Sequence, residues 1–166
     1  MSELPPTADQ AALHRAAHGD AALCTIVGID GSFSRRVGAQ LAVARDGSRV
    51  GDMADRCLDD ELASQALAAM AEGGARMLRY GHGSPFVDFR LPCGSGLDIW
   101  IDPAPDRAEL RRCMDELAAR QEAVLRLRLS EDLAPYLLRE RRYVPRLRIV
   151  LLGAGAESAA LVRLAT

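Results

Sequence analysis

Arg148-Ile149-Val150-Leu151-Leu152-Gly153-Ala154-Gly155-Ala156-Glu157-Ser158 is an apolar run that enters a Gly-x-Gly turn and continues with helical spacing to Ala165. Strand, glycine turn and helix in that order open a dinucleotide-type α/β unit, because glycine lets backbone amides approach a pyrophosphate at a helix N-terminus. Ser158 stands where the third small residue of that fingerprint is expected. The second strand, and the acidic residue about 20 positions on that would hold a ribose, would fall beyond Thr166. The stretch is expected to be an incomplete nucleotide unit with Gly153 and Gly155 as its partial site. NAD(P) is not expected to be held by it, and function is expected to sit mainly before Arg146.

Upstream, Glu131 to Val144 is rich in charge, contains Pro135 and is followed by Pro145, which reads as a linker with one helical turn or two. Gln121 to Leu129 alternates as a strand, and Arg107 to Arg120 has the spacing of an amphipathic helix with Leu110, Met114 and Leu117 on one face. Leu97 to Ile101 sets Leu97, Ile99 and Ile101 against Asp98 and Trp100, a half-buried strand, and Arg76 to Tyr80 is another. The clearest helix runs from Arg56 to Glu72, with Asp55 as cap, Leu58, Leu62, Ala66 and Met70 on its apolar face, and Gly73-Gly74 as its stop. Ala22 to Ile29 is a buried strand, Gly31 to Gly38 a loop, and Ala39 to Ala44 a strand reaching the turn Asp46-Gly47, with Arg49 to Met53 as a third short strand. Thr7 to His18 is a short helix capped by Thr7 or Asp9 and stopped at Gly19. The expected class is α/β: a mixed-sheet N-terminal domain with flanking helices over 1–130, a linker over 131–146, and the first strand, turn and helix of a Rossmann unit over 147–166.

The composition narrows the chemistry. The 21 basic and 23 acidic residues are interspersed and leave a net charge of -2, so no field gathers nucleic acid or an acidic membrane. Every basic residue is Arg, and the absence of Lys excludes a Schiff base, bound pyridoxal phosphate and a phosphate-loop lysine. Absence of Asn excludes N-glycosylation sites. Cys24, Cys57, Cys93 and Cys113 are far apart, with no CxxC pair. Met1 to Asp20 lacks the apolar core of a signal peptide and no later run approaches a membrane span, so a reduced, cytoplasmic, soluble protein is expected.

Several segments can carry chemistry. Gly31-Ser32-Phe33-Ser34-Arg35-Arg36-Val37-Gly38 offers backbone amides and guanidinium forks to a phosphate or carboxylate, or is a hairpin loop with solvated charges. Asp55-Arg56-Cys57 would place a thiol at a helix start, where free amides and Arg56 favour the thiolate and Asp59, Asp60 and Glu61 oppose it. Cys57 is therefore either reactive or a small buried hydrophobe. Cys93, in Leu91-Pro92-Cys93-Gly94-Ser95-Gly96, sits in an open glycine loop that gives a ligand access. Cys24 and Cys113 read as structural. His14 and His18 have the i, i+4 spacing of metal ligands, but with no accompanying acid or thiol they read as a solvated face, and His82 as a solvated loop residue. The interleaved charges from Arg107 to Arg148 suit a solvated face or a partner surface rather than nucleic acid.

Taken in order, Thr25-Ile26-Val27 before Gly31-Ser32-x-x-Arg35-x-x-Gly38-Ala39, Val50-Gly51 before Cys57, and Cys93-Gly94-x-Gly96-Leu97-Asp98 resemble the XdhC/CoxI family of molybdenum-hydroxylase maturation factors. Asp55 and Arg56 stand where that family's pattern has two glycines. The resemblance implies an N-terminal domain followed by a Rossmann domain. It also implies a chaperone that binds the molybdenum pterin cofactor, assists its sulfuration and inserts it into a xanthine or CO dehydrogenase type apoenzyme, with a sulfur donor protein as second partner. By position it makes Cys57, Cys93, Arg35, Gly31, Ser32, Gly38, Gly94 and Gly96 the cofactor-binding set, with molybdenum contact through the two cysteines. Two other readings stay open: a fragment of an NAD(P)-dependent oxidoreductase, and a non-catalytic interaction module that docks a partner or forms a homodimer.

Overall fold

A computed structural model describes residues 7–53, 58–84, 94–146, 150–153 and 155–165. In chain order the elements are helix α1 (Ala8–His18), strands β1 (Ala21–Asp30), β2 (Gln40–Ala44) and β3 (Arg49–Gly51), helix α2 (Asp59–Glu72), strands β4 (Arg76–Gly81) and β5 (Gly96–Asp102), helix α3 (Arg107–Ala118), strands β6 (Ala123–Arg126) and β7 (Glu140–Tyr143), and helix α4 (Ala156–Ala165). Five strands form one sheet in the order β3-β2-β1-β5-β4, every pairing antiparallel, and β6 and β7 form a separate antiparallel ribbon. This is the expected mixed α/β class.

The continuous apolar runs become central strands because both faces of the sheet are covered. On one face Ala22, Cys24, Ile26, Leu41, Leu97, Ile99 and Ile101 pack beneath Leu62, Ala66 and Met70 of α2. On the other, Leu23 and Ala42 meet Leu13 and Ala16 of α1, Leu110 and Cys113 of α3, and Ala123 and Tyr143 of the ribbon. Val27 and Trp100 lie on this second face beneath Leu137, with Leu127, Leu129 and Leu133 around them.

That last contact corrects two expectations. The 131–144 stretch, read as a linker from its charge and Pro135, carries β7 and buries Leu137 and Tyr143. Strand β5, read as half-buried, is buried on both faces because this stretch covers Trp100. Several of the stretch's charges are internal partners rather than solvated groups: Arg141 pairs with Asp9 at 2.7 Å, and Arg139 donates to the carbonyl of Leu133 at 3.0 Å.

Local signals account for most helix ends. Thr7 and Gln10 form a reciprocal capping box on α1, so Asp9 is not the cap. Asp106 accepts the amides of Ala108 and Glu109 at the start of α3. Helix α2 begins at Asp59 rather than Arg56: Asp59, Asp60 and Glu61 fill its first turn, where their charge complements the exposed amides, and Leu58 holds the cap position without a side-chain bond. The expected cap Asp55 lies outside the described residues.

Helix α3 ends in a Schellman motif, the amide of Gln121 reaching the carbonyl of Glu116 at 2.8 Å and that of Arg120 reaching Leu117 at 3.0 Å. The left-handed position is Arg120, with φ of 66°, where glycine is the usual occupant. Arg120→Gly is expected to stabilise the fold by about 1 kcal/mol, raising the melting temperature by about 2–4 °C; an unchanged or lower value in a thermal melt would contradict this.

At the C-terminal end, Gly153 has φ of 130° and α4 starts at Ala156, so the glycine turn and helix are present. Val150 to Leu152 is not paired as a strand, and Val150 and Leu152 are exposed, since no neighbouring strand among the described residues lies beside them. No helix among the described residues is long and apolar enough to cross a membrane.

Candidate functional site

Antiparallel pairing of β1 with β5 sets Asp30 opposite Gly96. The loop leaving β1 and the residues entering β5 therefore meet at one end of the sheet. Ser95, 1% exposed, donates its hydroxyl to the carbonyl of Ser32, joining segments 63 positions apart. Gly31, at φ of 88°, faces this serine so closely that a Cβ would lie 3.3 Å from its Oγ; the left-handed backbone and the close approach both select glycine. Gly94, by contrast, opens onto free space. The structure thus brings Gly31, Ser32, Gly94 and Gly96 to a single corner.

Arg79 of β4 closes that corner. Its Nη1 donates to Asp98 at 2.7 Å, Nε to the carbonyl of His82 at 2.9 Å, and Nη2 lies 3.3 Å from Asp30. The guanidinium passes over Gly96, where a Cβ would come within 2.7 Å of its Cζ. Two carboxylates face this cation, so it is not a free positive charge at the corner. His82 remains exposed, with Nδ1 at 3.6 Å from Asp30.

The adjacent arginine pair is divided between two carboxylates. Arg35 pairs with Asp52 beside β3 and keeps about a third of its side chain, 34%, exposed. Arg36 reaches Asp9 at 3.3 Å, the same carboxylate that Arg141 binds. Gly38 lies under Arg141, whose Cδ would be 2.8 Å from a Cβ placed there. Asp9 also accepts the amide of Gln40 at 3.1 Å, and the buried Gln40 side chain binds Thr25 at 3.1 Å and the Tyr143 hydroxyl at 2.6 Å. This network fastens the loop to α1, β2 and β7.

Cys57 and Cys93 both lie outside the described residues. The chain on either side of Cys57 is firmly seated: Met53 and Leu58 are buried in the α2-side core, where Ile29 and Phe33 also pack. Beyond Cys93, Gly94 and Ser95 stand at the corner. Cys24 and Cys113 are buried free thiols, and burial pushes the Cys24 thiol up to about 12 and raises that of Cys113, so neither supplies a thiolate near neutral pH. His14 and His18 stack at 4.4 Å, and no group of three or more metal-ligating side chains occurs among the described residues. Arg79, Asp98 and Asp9 were not singled out from sequence as site residues. Asp98, one of two acidic residues of β5 and the last residue of the quoted Cys93-Gly94-x-Gly96-Leu97-Asp98 segment, was the local signal that pointed toward them.

Three comparisons bear on this arrangement. Residues 14–81 match the model of the XdhC and CoxI family. Over 106 residues the chain is 36% identical to the molybdenum cofactor insertion chaperone PaoD of Escherichia coli strain K12, covering 64% of this chain and 33% of that protein. The chain therefore spans about a third of that relative's length. Its fold is shared with a crystal structure described as a xanthine dehydrogenase from Bacillus halodurans, at a TM-score of 0.74 and 22% identity, over 96% of this chain and 59% of that one. With the glycine and serine segments assembled within and beside the matched region, the chain is similar to the XdhC and CoxI family over residues 14–81.

Proposed function

We propose that this chain is the cofactor-handling part of a molybdoenzyme maturation factor. Its cargo is the molybdenum pterin cofactor, held while a sulfur donor protein installs the sulfido ligand, then passed to a xanthine or CO dehydrogenase type apoenzyme in the cytoplasm. Such a protein acts as a chaperone and does not turn over a metabolite. The observation that carries the reading is the convergence of Gly31-Ser32 with Gly94-Ser95-Gly96, in a chain 36% identical to a molybdenum cofactor insertion chaperone.

In this reading the backbone around Gly31, Ser32, Gly94 and Gly96 receives the polar edge of the cargo, Gly38, whose amide is held by the Ile26 carbonyl, shapes the loop beside it, and Arg35 is drawn from Asp52 toward its phosphate. Cys57 and Cys93 supply soft thiolates that suit molybdenum or carry sulfur. Residues 1–130 form the cargo-binding domain, 131–146 the connection that also supplies β7, and 147–166 the opening of a nucleotide-type domain.

Equilibrium binding of the isolated cofactor to wild type, Cys57→Ser and Cys93→Ser tests the cysteine assignment. Either substitution is expected to weaken binding about tenfold or more, equal to about 1.4 kcal/mol, without changing the melting temperature. Equal affinity in all three proteins would remove both cysteines from the site.

A further inference from the structure

A groove of about 650 Å³ runs between α1, α3 and the Pro145-Arg146 segment that follows β7. Its apolar lining includes Leu13, Val50, Met114, Leu117 and Pro145. Among the described residues its charged lining is of one sign, Arg15, Arg120 and Arg146, with His14 beside them and no Asp or Glu.

The pairing of arginines elsewhere makes this distribution informative. Among the described residues, nearly every arginine holds a carboxylate or a carbonyl of the chain. The side chains of Arg15, Arg120, Arg146 and Arg163 alone make neither a hydrogen bond nor an ion pair there, and three of these four line the groove. Arg15 lies in the field of Asp46 without touching it. Arg120 is held in the left-handed conformation where glycine would cost less, so the chain retains a guanidinium at the groove against local backbone preference.

We propose that the groove binds an acidic amphipathic helix presented by a partner protein. An apolar channel between two helices suits the apolar stripe of a third, and carboxylates beside that stripe would meet Arg15, Arg120 and Arg146. The three guanidinium groups come from three separate elements of the lining, α1, the end of α3 and the segment after β7. The exposed helix α4 of a second copy, with Glu157 and Arg163, one charge of each sign, does not offer the acidic stripe that the groove calls for. The proposal does not depend on cofactor binding.

The test uses a labelled synthetic amphipathic peptide of about 18 residues, long enough for stable helix, with Leu on one face and Glu flanking it. Control peptides carry Gln or Lys for Glu. Fluorescence anisotropy is measured with wild type, with Arg120→Gly and with the triple variant Arg15→Glu/Arg120→Glu/Arg146→Glu, each checked by thermal melting. The Glu peptide is expected to bind wild type about tenfold or more tighter than the Gln peptide, with the preference falling as salt rises, and the triple variant is expected to lose it. Arg120→Gly, expected to be the more stable protein, is expected to bind about threefold more weakly, separating loss of a charge from loss of fold. The proposal is overturned by no binding of the Glu peptide, by equal binding of the Gln or Lys peptide, or by undiminished binding to both variants. Full displacement by millimolar inorganic phosphate would replace it with a small-anion site, and a wild-type dimer that the triple variant abolishes would replace it with self-association.

Discussion

Asp9→Ala is expected to cost about 3–5 kcal/mol, the loss that follows when one partner of a buried ion pair is removed, and to lower the melting temperature by about 10 °C for a chain of this size. Asp9 and Arg141 are only 13% and 11% exposed, so solvent does little to screen the pair. One carboxylate oxygen accepts from Arg141 at 2.7 Å and Arg36 at 3.3 Å, and the other from the Gln40 amide at 3.1 Å. Alanine leaves the Gln40 amide without an acceptor and the Arg141 cation without its carboxylate, with only the Arg142 carbonyl to accept from it, in a site with little solvent access. Asp9→Asn retains one carbonyl for Gln40 and is expected to lose less. Chemical denaturation measures both; a loss under about 1 kcal/mol for alanine, the range of an exposed pair, would show that the network is loose. Because Arg36 belongs to the 31–38 loop, the same variant is expected to loosen the candidate site from a distance.

Arg79→Leu is expected to have an effect of similar size and to act directly on the corner. It strips the partner from Asp98, which is 7% exposed, and releases the carbonyl of His82. An uncompensated carboxylate in that position is expected to cost about 3–5 kcal/mol. Adding Asp98→Leu to the same chain removes the orphaned charge, and the double variant is expected to recover much of the loss. Recovery in denaturation curves without recovery of cofactor affinity would separate the two roles of Arg79, holding the sheet end and shaping the surface over Gly96. A double variant no more stable than Arg79→Leu would show that the pair does not act as a unit.

Much of the fold was readable from short-range pattern. The apolar runs at β1 and β2, the spacing along α2 and α3, and the caps Thr7 and Gly19 all depend on residues a few positions apart. The two glycine segments were readable as motifs for the same reason. Their meeting was not, because it depends on the register of β1 against β5 and on Ser95 reaching Ser32 across 63 positions. Asp9 looked like a helix cap, yet it serves a cation 132 positions away that the local sequence presents as part of a solvated linker. Trp100 and Leu137 show the same limit: each belongs to an ambiguous local pattern, and their contact decides both. Arg120 is the reverse case, a residue whose backbone conformation contradicts its own preference.

The central claim is that this chain holds a molybdenum pterin cargo, and equilibrium binding of the isolated cofactor to the purified wild-type protein measures it most directly. Saturable binding approaching one pterin and one molybdenum per chain is expected, reduced in Arg79→Leu/Asp98→Leu, where the fold is restored but the corner is not. No saturable binding by a fully folded wild-type chain would contradict it.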